Sequence, residues 1–223
     1  MAQHIVKITG TEFVTHNVKR FKVERPAGYE FIPGQATDVS INTPAWKKEL
    51  RPFTFTGLNT WDHLEFTIKI YPNHNGVTNQ LGKLKKGDEL ILNDVFGTIQ
   101  YQGEGTFIAG GAGITPFIAI FRQLNHEGKL EHNKLIFSNR TSRDIILQDE
   151  LTEWFGTNFI NTLTREKTTL YDNSRIDRNY LMQKISNFSR YFYICGPDAM
   201  VEDIQSLLID LGADGYKIVR EQF

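Results

Sequence analysis

The sequence predicts two domains in series, an antiparallel β-barrel followed by an α/β domain built on a parallel sheet. Two observations carry this prediction. Apolar residues alternate with period two through roughly the first hundred positions, whereas after Gly105 short apolar strands alternate with helix-spaced runs. A third is size, since 223 residues suffice for one large domain or two small ones. In the first half Leu64, Phe66, Ile68 and Ile70 point one way while Glu65, Thr67 and Lys69 point the other. Further β-rich runs at 5–8, 13–23, 37–41 and 89–93 are separated by turn chemistry. The turns are Pro26-Ala27-Gly28, Pro33-Gly34, Pro72-Asn73-His74-Asn75-Gly76 and Lys86-Gly87-Asp88. Many short strands with regular breaks predict a small barrel, and one short helix is expected after Gly76.

The second half reads as strands at 106–109, 134–137, 158–163, 191–194 and 216–219. Helices are expected through Phe117, Ile120, Phe121 and Leu124, stopped at Gly128, and then at 148–155, at 178–188 and through Ile204, Leu207, Leu208 and Leu211. Strands that alternate with helices imply parallel pairing through crossovers. The boundary is placed in Gln102-Gly103-Glu104-Gly105, giving domains at 1–102 and 103–223.

Composition excludes several classes. Lys+Arg at 25 against Asp+Glu at 26 leave a net charge of −1, so there is no overall basic footprint for nucleic acid. No N-terminal targeting pattern is visible, and the longest uncharged apolar stretch, 107–121, is shorter than the ~20 residues a membrane helix needs. The single cysteine, Cys195, cannot form an internal disulfide or ligate an iron–sulfur cluster, and it suits a reducing compartment. The expectation is a cytoplasmic monomer without membrane insertion. The six histidines have no metal-binding spacing.

The strongest motif is Ala109-Gly110-Gly111-Ala112-Gly113-Ile114-Thr115-Pro116, between the first strand and first helix of a βα unit. Glycines let backbone approach a diphosphate, and amides at a helix start attract it. Thr115 suits the helix N-cap and Pro116 the first turn. A nucleotide-triphosphate loop is disfavoured because its Lys-Ser/Thr pair is missing.

Taken with Arg51-Pro52-Phe53-Thr54, Gly76-Val77-Thr78 and Cys195-Gly196-Pro197-Asp198-Ala199-Met200, the chain resembles the ferredoxin–NADP reductase superfamily over nearly its whole length. The resemblance implies a flavin-binding barrel, a pyridine-nucleotide domain and FAD as the flavin. Arg51-Pro52-Phe53-Thr54 is similar to the family's Arg-x-Tyr-Ser segment. There Arg51 would hold the flavin diphosphate, Phe53 would lie against the isoalloxazine ring and Thr54 would offer its hydroxyl near N5. Phe in place of Tyr keeps the stacking and loses a hydroxyl contact. Lys69-Ile70-Tyr71 resembles the next flavin-contacting strand, and the turn at Gly76, Val77 and Thr78 a phosphate-binding helix start.

In the second half the resemblance assigns Gly110, Gly111, Gly113, Thr115 and Pro116 to the diphosphate of NAD(P)H. Asn139-Arg140 resembles the adenine-side segment. Thr164-Arg165 resembles the Ser-Arg pair that selects the 2′-phosphate, so NADPH is expected with NADH as the alternative. Ser174-Arg175-Ile176-Asp177 is read as structural, with Asp177 capping a helix. Cys195, with Gly196 and Pro197, would lie beside the nicotinamide C4. Glu221 and Phe223 would approach the flavin face. The implied activity moves hydride from NADPH to FAD and single electrons to a separate ferredoxin or flavodoxin, since one cysteine leaves no iron–sulfur domain in these residues. Lys47, Lys48, Lys83, Lys85 and Lys86 are a candidate basic patch for an acidic carrier. The alternatives are a reductase component for an oxygenase, reduction of free flavin or ferric acceptors, and a flavin-binding regulatory module without turnover.

Overall fold

The computed structural model describes residues 3–97 and 99–220. In the first part of the chain lie β1 (His4–Thr15), β2 (Val18–Glu24), β3 (Ala36–Ile41), β4 (Arg51–Thr54), β5 (His63–Lys69), α1 (Val77–Lys83) and β6 (Glu89–Phe96). They form one sheet ordered β4-β3-β6-β1-β2-β5, with every neighbouring pair antiparallel. Its two edges meet just past β4. Phe55 bridges Phe66, and Thr56 donates its amide to the Glu65 carbonyl at 2.8 Å, which closes the barrel. Pro52 is tolerated because β4 is an edge strand of the ladder, where a missing N–H costs least.

The alternating residues of β5 behave as their period requires: Leu64, Phe66 and Ile68 fill the barrel core beside Phe21 and Phe55. The opposite face is buried as well. Glu65 is 1% exposed and Thr67 4%, because a helix from further along the chain lies over them. The run at 13–23, expected as one strand, is a hairpin that reverses at His16-Asn17 with Thr15 opposite Val18. Thr15 and Asn17 tie that turn with side-chain bonds, and the β-rich residues on both flanks conceal it in the sequence.

The second part contains β7 (Gly105–Gly110), α2 (Thr115–His126), β8 (Lys134–Asn139), α3 (Gln148–Phe155), β9 (Phe159–Leu163), α4 (Arg178–Lys184), β10 (Tyr191–Cys195), α5 (Asp198–Asp210) and β11 (Ile218–Arg220). The sheet is ordered β11-β10-β7-β8-β9 and is parallel throughout. The chain runs outward from β7 through β8 to β9, then returns to the other side of β7 with β10. The order therefore reverses between β7 and β10, the topological switch point at which open α/β sheets bind ligands.

Three local expectations need correction. A 3₁₀ turn over Gly111–Ile114 leads straight into α2, so Thr115 is the first helical residue rather than its cap. Helix α4 stops at Lys184 instead of 188, with an extended Ile185 before the turn-favouring Ser186-Asn187. The last strand begins at Ile218, after a 3₁₀ turn at Gly215–Lys217 that Asp214 caps. Asp177 does cap α4, accepting from the Tyr180 amide at 2.8 Å.

The chain forms two compact units. One runs to Gln100 and takes in Thr115–Gln123; the other takes in Tyr101–Ile114 and the described residues from Leu124 onward. In the first, Arg122 of α2 donates to the Thr56 carbonyl at 2.8 Å and to the Glu65 carboxylate at 2.5 Å, and its guanidinium sits 5.0 Å from the Trp61 ring. In the second, the Tyr193 hydroxyl accepts from the amides of Gln102 and Gly103 at 2.8 and 3.0 Å and donates to the Gly103 carbonyl at 2.7 Å. Phe107 stacks on the same ring, centroids 4.2 Å apart. No helix among the described residues is long and apolar enough to cross a membrane.

Candidate cofactor site

On the barrel, β4 pairs with β3 so that Arg51 faces Val39, Pro52 faces Asp38, Phe53 faces Thr37 and Thr54 faces Ala36. The Arg51 side chain is half-exposed. It donates to its neighbour's carbonyl, that of Leu50, at 2.6 Å and lies 3.9 Å from Glu49. Thr54 is half-buried. Phe53 packs its ring partly against the barrel core, which leaves only the remainder for a ligand. Ile70 and Val77 are core side chains, 7% and 2% exposed. Tyr71 is exposed beside His74 and lies under the Lys69 ammonium at 5.8 Å.

Helix α1 begins without a side-chain cap. Its N-cap is Gly76 in an extended conformation, and no acidic residue occupies the first turn. The first amides of a helix have no intrahelical acceptor. A Cβ placed on Gly76 would meet nothing within 4 Å, so the space on that side of the N-cap residue is open. The Thr78 hydroxyl stands in the same turn. An uncapped helix start with open space, no nearby acid and an adjacent hydroxyl suits a phosphate.

On the nucleotide side the glycines serve a different purpose. A Cβ on Gly113 would lie 2.4 Å from the Cys195 carbonyl oxygen, and one on Gly110 would lie 2.5 Å from the Met200 sulfur and 3.0 Å from Pro197. The turn after β7 is thus pressed against the Cys195-Gly196-Pro197 turn after β10, backbone to backbone, on the two sides of the switch point. Gly111 takes φ +54°, a left-handed conformation that favours glycine. Cys195 is 8% exposed and paired in register with Ala109. A concavity of ≈ 240 Å³ lined by Ile194, Cys195, Gly196, Asp198, Val201, Glu202 and Arg220 opens there. It is below the ~300 Å³ at which drug-sized pockets begin, so within this unit it admits only part of a dinucleotide.

At the far side of the same sheet edge, the turns after β8 and β9 are joined. The amide of Thr164 donates to the Asn139 carbonyl at 2.9 Å, and that of Arg165 to the Arg140 carbonyl at 2.9 Å. Arg140, Thr164 and Arg165 are exposed. Asn139 is 4% exposed, and neither its amide nitrogen nor its amide oxygen has a partner among the described residues. A buried amide with no partner is uncommon and marks a place for water or a polar ligand group. The residues therefore fit a pyridine dinucleotide: a switch-point turn, an orphaned amide and two exposed guanidinium groups along one edge. Glu221 and Phe223 lie outside the described residues.

What sequence reasoning missed is the acid chemistry around these arginines. The Glu166 carboxylate accepts from the Ser142 amide at 2.7 Å and from the Ser142 hydroxyl at 2.9 and 3.0 Å. Asp144 accepts from the Thr141 amide at 2.9 Å and hydroxyl at 2.7 Å. The Thr141-x-x-Asp144 spacing of a capping box was a visible signal for the second pair; nothing local announced the first, which spans 24 residues.

A closed antiparallel barrel with an uncapped helix start at Gly76, followed by a parallel sheet with a glycine turn at its switch point, defines the flavin–pyridine nucleotide class of oxidoreductase. Residues 5–101 match the oxidoreductase FAD-binding domain and residues 107–206 the oxidoreductase NAD-binding domain. These matches, with the fold shared with ferredoxin reductases, establish that the chain belongs to the ferredoxin–NADP reductase superfamily. It is 31% identical over 155 residues to the reductase component of a propane 2-monooxygenase from Rhodococcus jostii, a match covering 66% of this chain and 41% of that protein. It is 24% identical over 215 residues to the ferredoxin–NAD(P)+ reductase component of naphthalene 1,2-dioxygenase/salicylate 5-hydroxylase systems from Ralstonia, covering 92% of this chain and 64% of the relative. The chain thus spans less than two thirds of the length of either relative. The fold is shared with a ferredoxin NADP+ reductase from Neisseria gonorrhoeae solved with FAD and NADP, at TM-score 0.86, 21% identity and coverage of 99% and 98% of the two chains.

Proposed function

We propose that this chain is an FAD-dependent oxidoreductase that draws on NADPH, with NADH as the alternative donor, and delivers electrons to a separate carrier of the ferredoxin or flavodoxin kind. The observation that supports it most is the pairing of turns at the switch point between β7 and β10, in a chain whose barrel keeps an open helix start at Gly76. When bound, the flavin takes up hydride from the nicotinamide and gives up electrons singly. The protein's share is binding and orientation. Arg51 would swing from Leu50 onto the flavin diphosphate, a contact suited to its planar fork. The amides of Val77 and Thr78 and the Thr78 hydroxyl would hold phosphate, with Lys69 and Tyr71 alongside. Thr54 would donate a hydrogen bond to the ring at N5, and the outer part of Phe53 would lie against it. The turn at Gly110, Gly111 and Gly113, with Thr115 and Pro116, would receive the dinucleotide diphosphate. Asn139, Arg140, Thr164 and Arg165 would take its adenosine end. Cys195, with Gly196 and Pro197, would line the nicotinamide position.

The relatives favour a second reading of the acceptor, a reductase component that serves an oxygenase. The exposed lysines Lys47, Lys48, Lys83, Lys85 and Lys86 suit an acidic carrier under either reading. The proposed state is a cytoplasmic monomer, with Cys195 buried and in no disulfide. The test begins with reconstitution: the chain should take up FAD, turn yellow and bleach when NADPH is added without oxygen. Arg165→Ala should then weaken NADPH as donor far more than NADH. A protein that binds no FAD overturns the reading, and an unchanged donor preference overturns the role of Arg165. Steady-state reduction of ferredoxin, flavodoxin and an oxygenase component, run in parallel, separates the two acceptors.

A further inference from the structure

The turns after β8 and β9 carry Arg140 and Arg165, both exposed and close in sequence to carboxylates, yet neither guanidinium pairs with one among the described residues. Arg140 and Arg165 make no side-chain ion pair or hydrogen bond among the described residues. The acid that follows Arg165 directly, Glu166, gives its oxygens to the amide and hydroxyl of Ser142. The acid that follows Arg140 by four residues, Asp144, gives an oxygen to the amide and hydroxyl of Thr141. An exposed guanidinium beside an unengaged carboxylate would ordinarily pair with it, since bidentate Arg–carboxylate geometry is favourable. Here neutral donors fixed by the backbone occupy the acid instead.

We propose that Ser142 is a specificity-determining positioning residue: by holding the Glu166 carboxylate it keeps the Arg140–Arg165 edge positive and open to the 2′-phosphate of NADPH. This rests on the reading of that edge as the adenosine end of the coenzyme site. Released, Glu166 has three ways to act, two that discriminate against NADPH and one that favours NADH. It can pair with Arg140 or Arg165 and withdraw the guanidinium, or it can stand as a like charge against the phosphate. It can also accept from a ribose 2′-hydroxyl, as acids at the corresponding edge of dinucleotide folds do for NADH. Ser142 thus sets the coenzyme preference without touching coenzyme.

The experiment is calorimetric titration of the FAD-loaded full chain with NADP+ and with NAD+, for wild type, Ser142→Ala, Ser142→Thr, Glu166→Gln and the double variant Ser142→Ala/Glu166→Gln. Ser142→Ala should shift the ratio of the two dissociation constants against NADP+ by about two- to fivefold, the size of one exposed ion pair. Ser142→Thr should restore the ratio, because it keeps the hydroxyl. Glu166→Gln should leave NADP+ bound as tightly or more tightly, and Ser142→Ala should have no further effect on the ratio in that background. A merely structural clasp would weaken both dinucleotides alike. Equal changes for NADP+ and NAD+, or a Ser142→Ala effect that persists with Glu166→Gln, overturns the proposal. Wild type that favours NAD+ overturns the NADPH reading instead, and the Ser142→Ala ratio still decides whether the clasp acts.

Discussion

Gly76 and Gly113 both sit in turns that open onto a helix, and both belong to segments that resemble phosphate sites, yet their surroundings are opposite. A side chain at Gly76 would enter open space, whereas one at Gly113 would strike a carbonyl 2.4 Å away. At Gly76 the backbone faces open space. In the parallel sheet, glycine lets two turns of the protein come together, so that the ends of β7 and β10 make one continuous edge.

The comparison breaks most visibly at Gly113. Gly113→Ala must push the turn away from Cys195, which is backbone and cannot yield as a flexible side chain does. A loss of about 3 kcal/mol in urea unfolding is expected, together with weaker NADP+ binding. A variant within 1 kcal/mol of wild type, as an order of magnitude, would show that the two turns are not pressed together as described.

The next effect is expected at Tyr193, whose hydroxyl makes three hydrogen bonds to residues 102–103. Tyr193→Phe leaves two amides and a carbonyl without that partner and should cost about 1–3 kcal/mol. Burial, opposed in part by the amides of Gln102 and Gly103, pushes this phenol from 10.0 up to about 12. Because the folded value is raised, the contribution to stability is complete below pH 10 and is lost as pH climbs toward 12. Tyr180 is raised in the same direction, by burial first and then by Asp172, so Tyr193→Phe should flatten only part of the alkaline decline in the unfolding midpoint.

The smallest change in stability belongs to Gly76→Ala, at about 0.5 kcal/mol, since the new methyl meets no protein atom. Its consequence should appear instead in FAD affinity, measured by flavin fluorescence on dilution. A variant that binds FAD as wild type does would show that the open space at Gly76 is not where phosphate sits. Set beside Gly113→Ala, it tests whether Gly76 answers to a ligand while Gly113 answers to the fold.

Most elements were legible because their signals are local. The period-two face of β5, the β7–turn–α2 sequence and the Asp177 cap each depend on residues within a few positions of one another. The hairpin inside 13–23 escaped because strand-forming residues flank its two-residue turn on both sides. Burial of Glu65 escaped for a different reason. A carboxylate at an alternating position reads as an outward face, and only the arrival of Arg122, 57 residues later, makes it an interior one. The candidate site was legible as motifs, but the engagement of Glu166 by Ser142 was not.

Alone, the sequence determined the order of the two units, the type of most elements and the position of the glycine turn after the first parallel strand. Those properties follow from side-chain periodicity and turn chemistry, which act between near neighbours. The tertiary structure decided the strand order, and with it the switch point that brings the Gly113 turn against Cys195 and the Ser142 turn against Glu166. Such meetings arise when separate apolar faces bury one another. That force has no direction of its own, so backbone geometry and close packing decide which distant polar groups end up face to face.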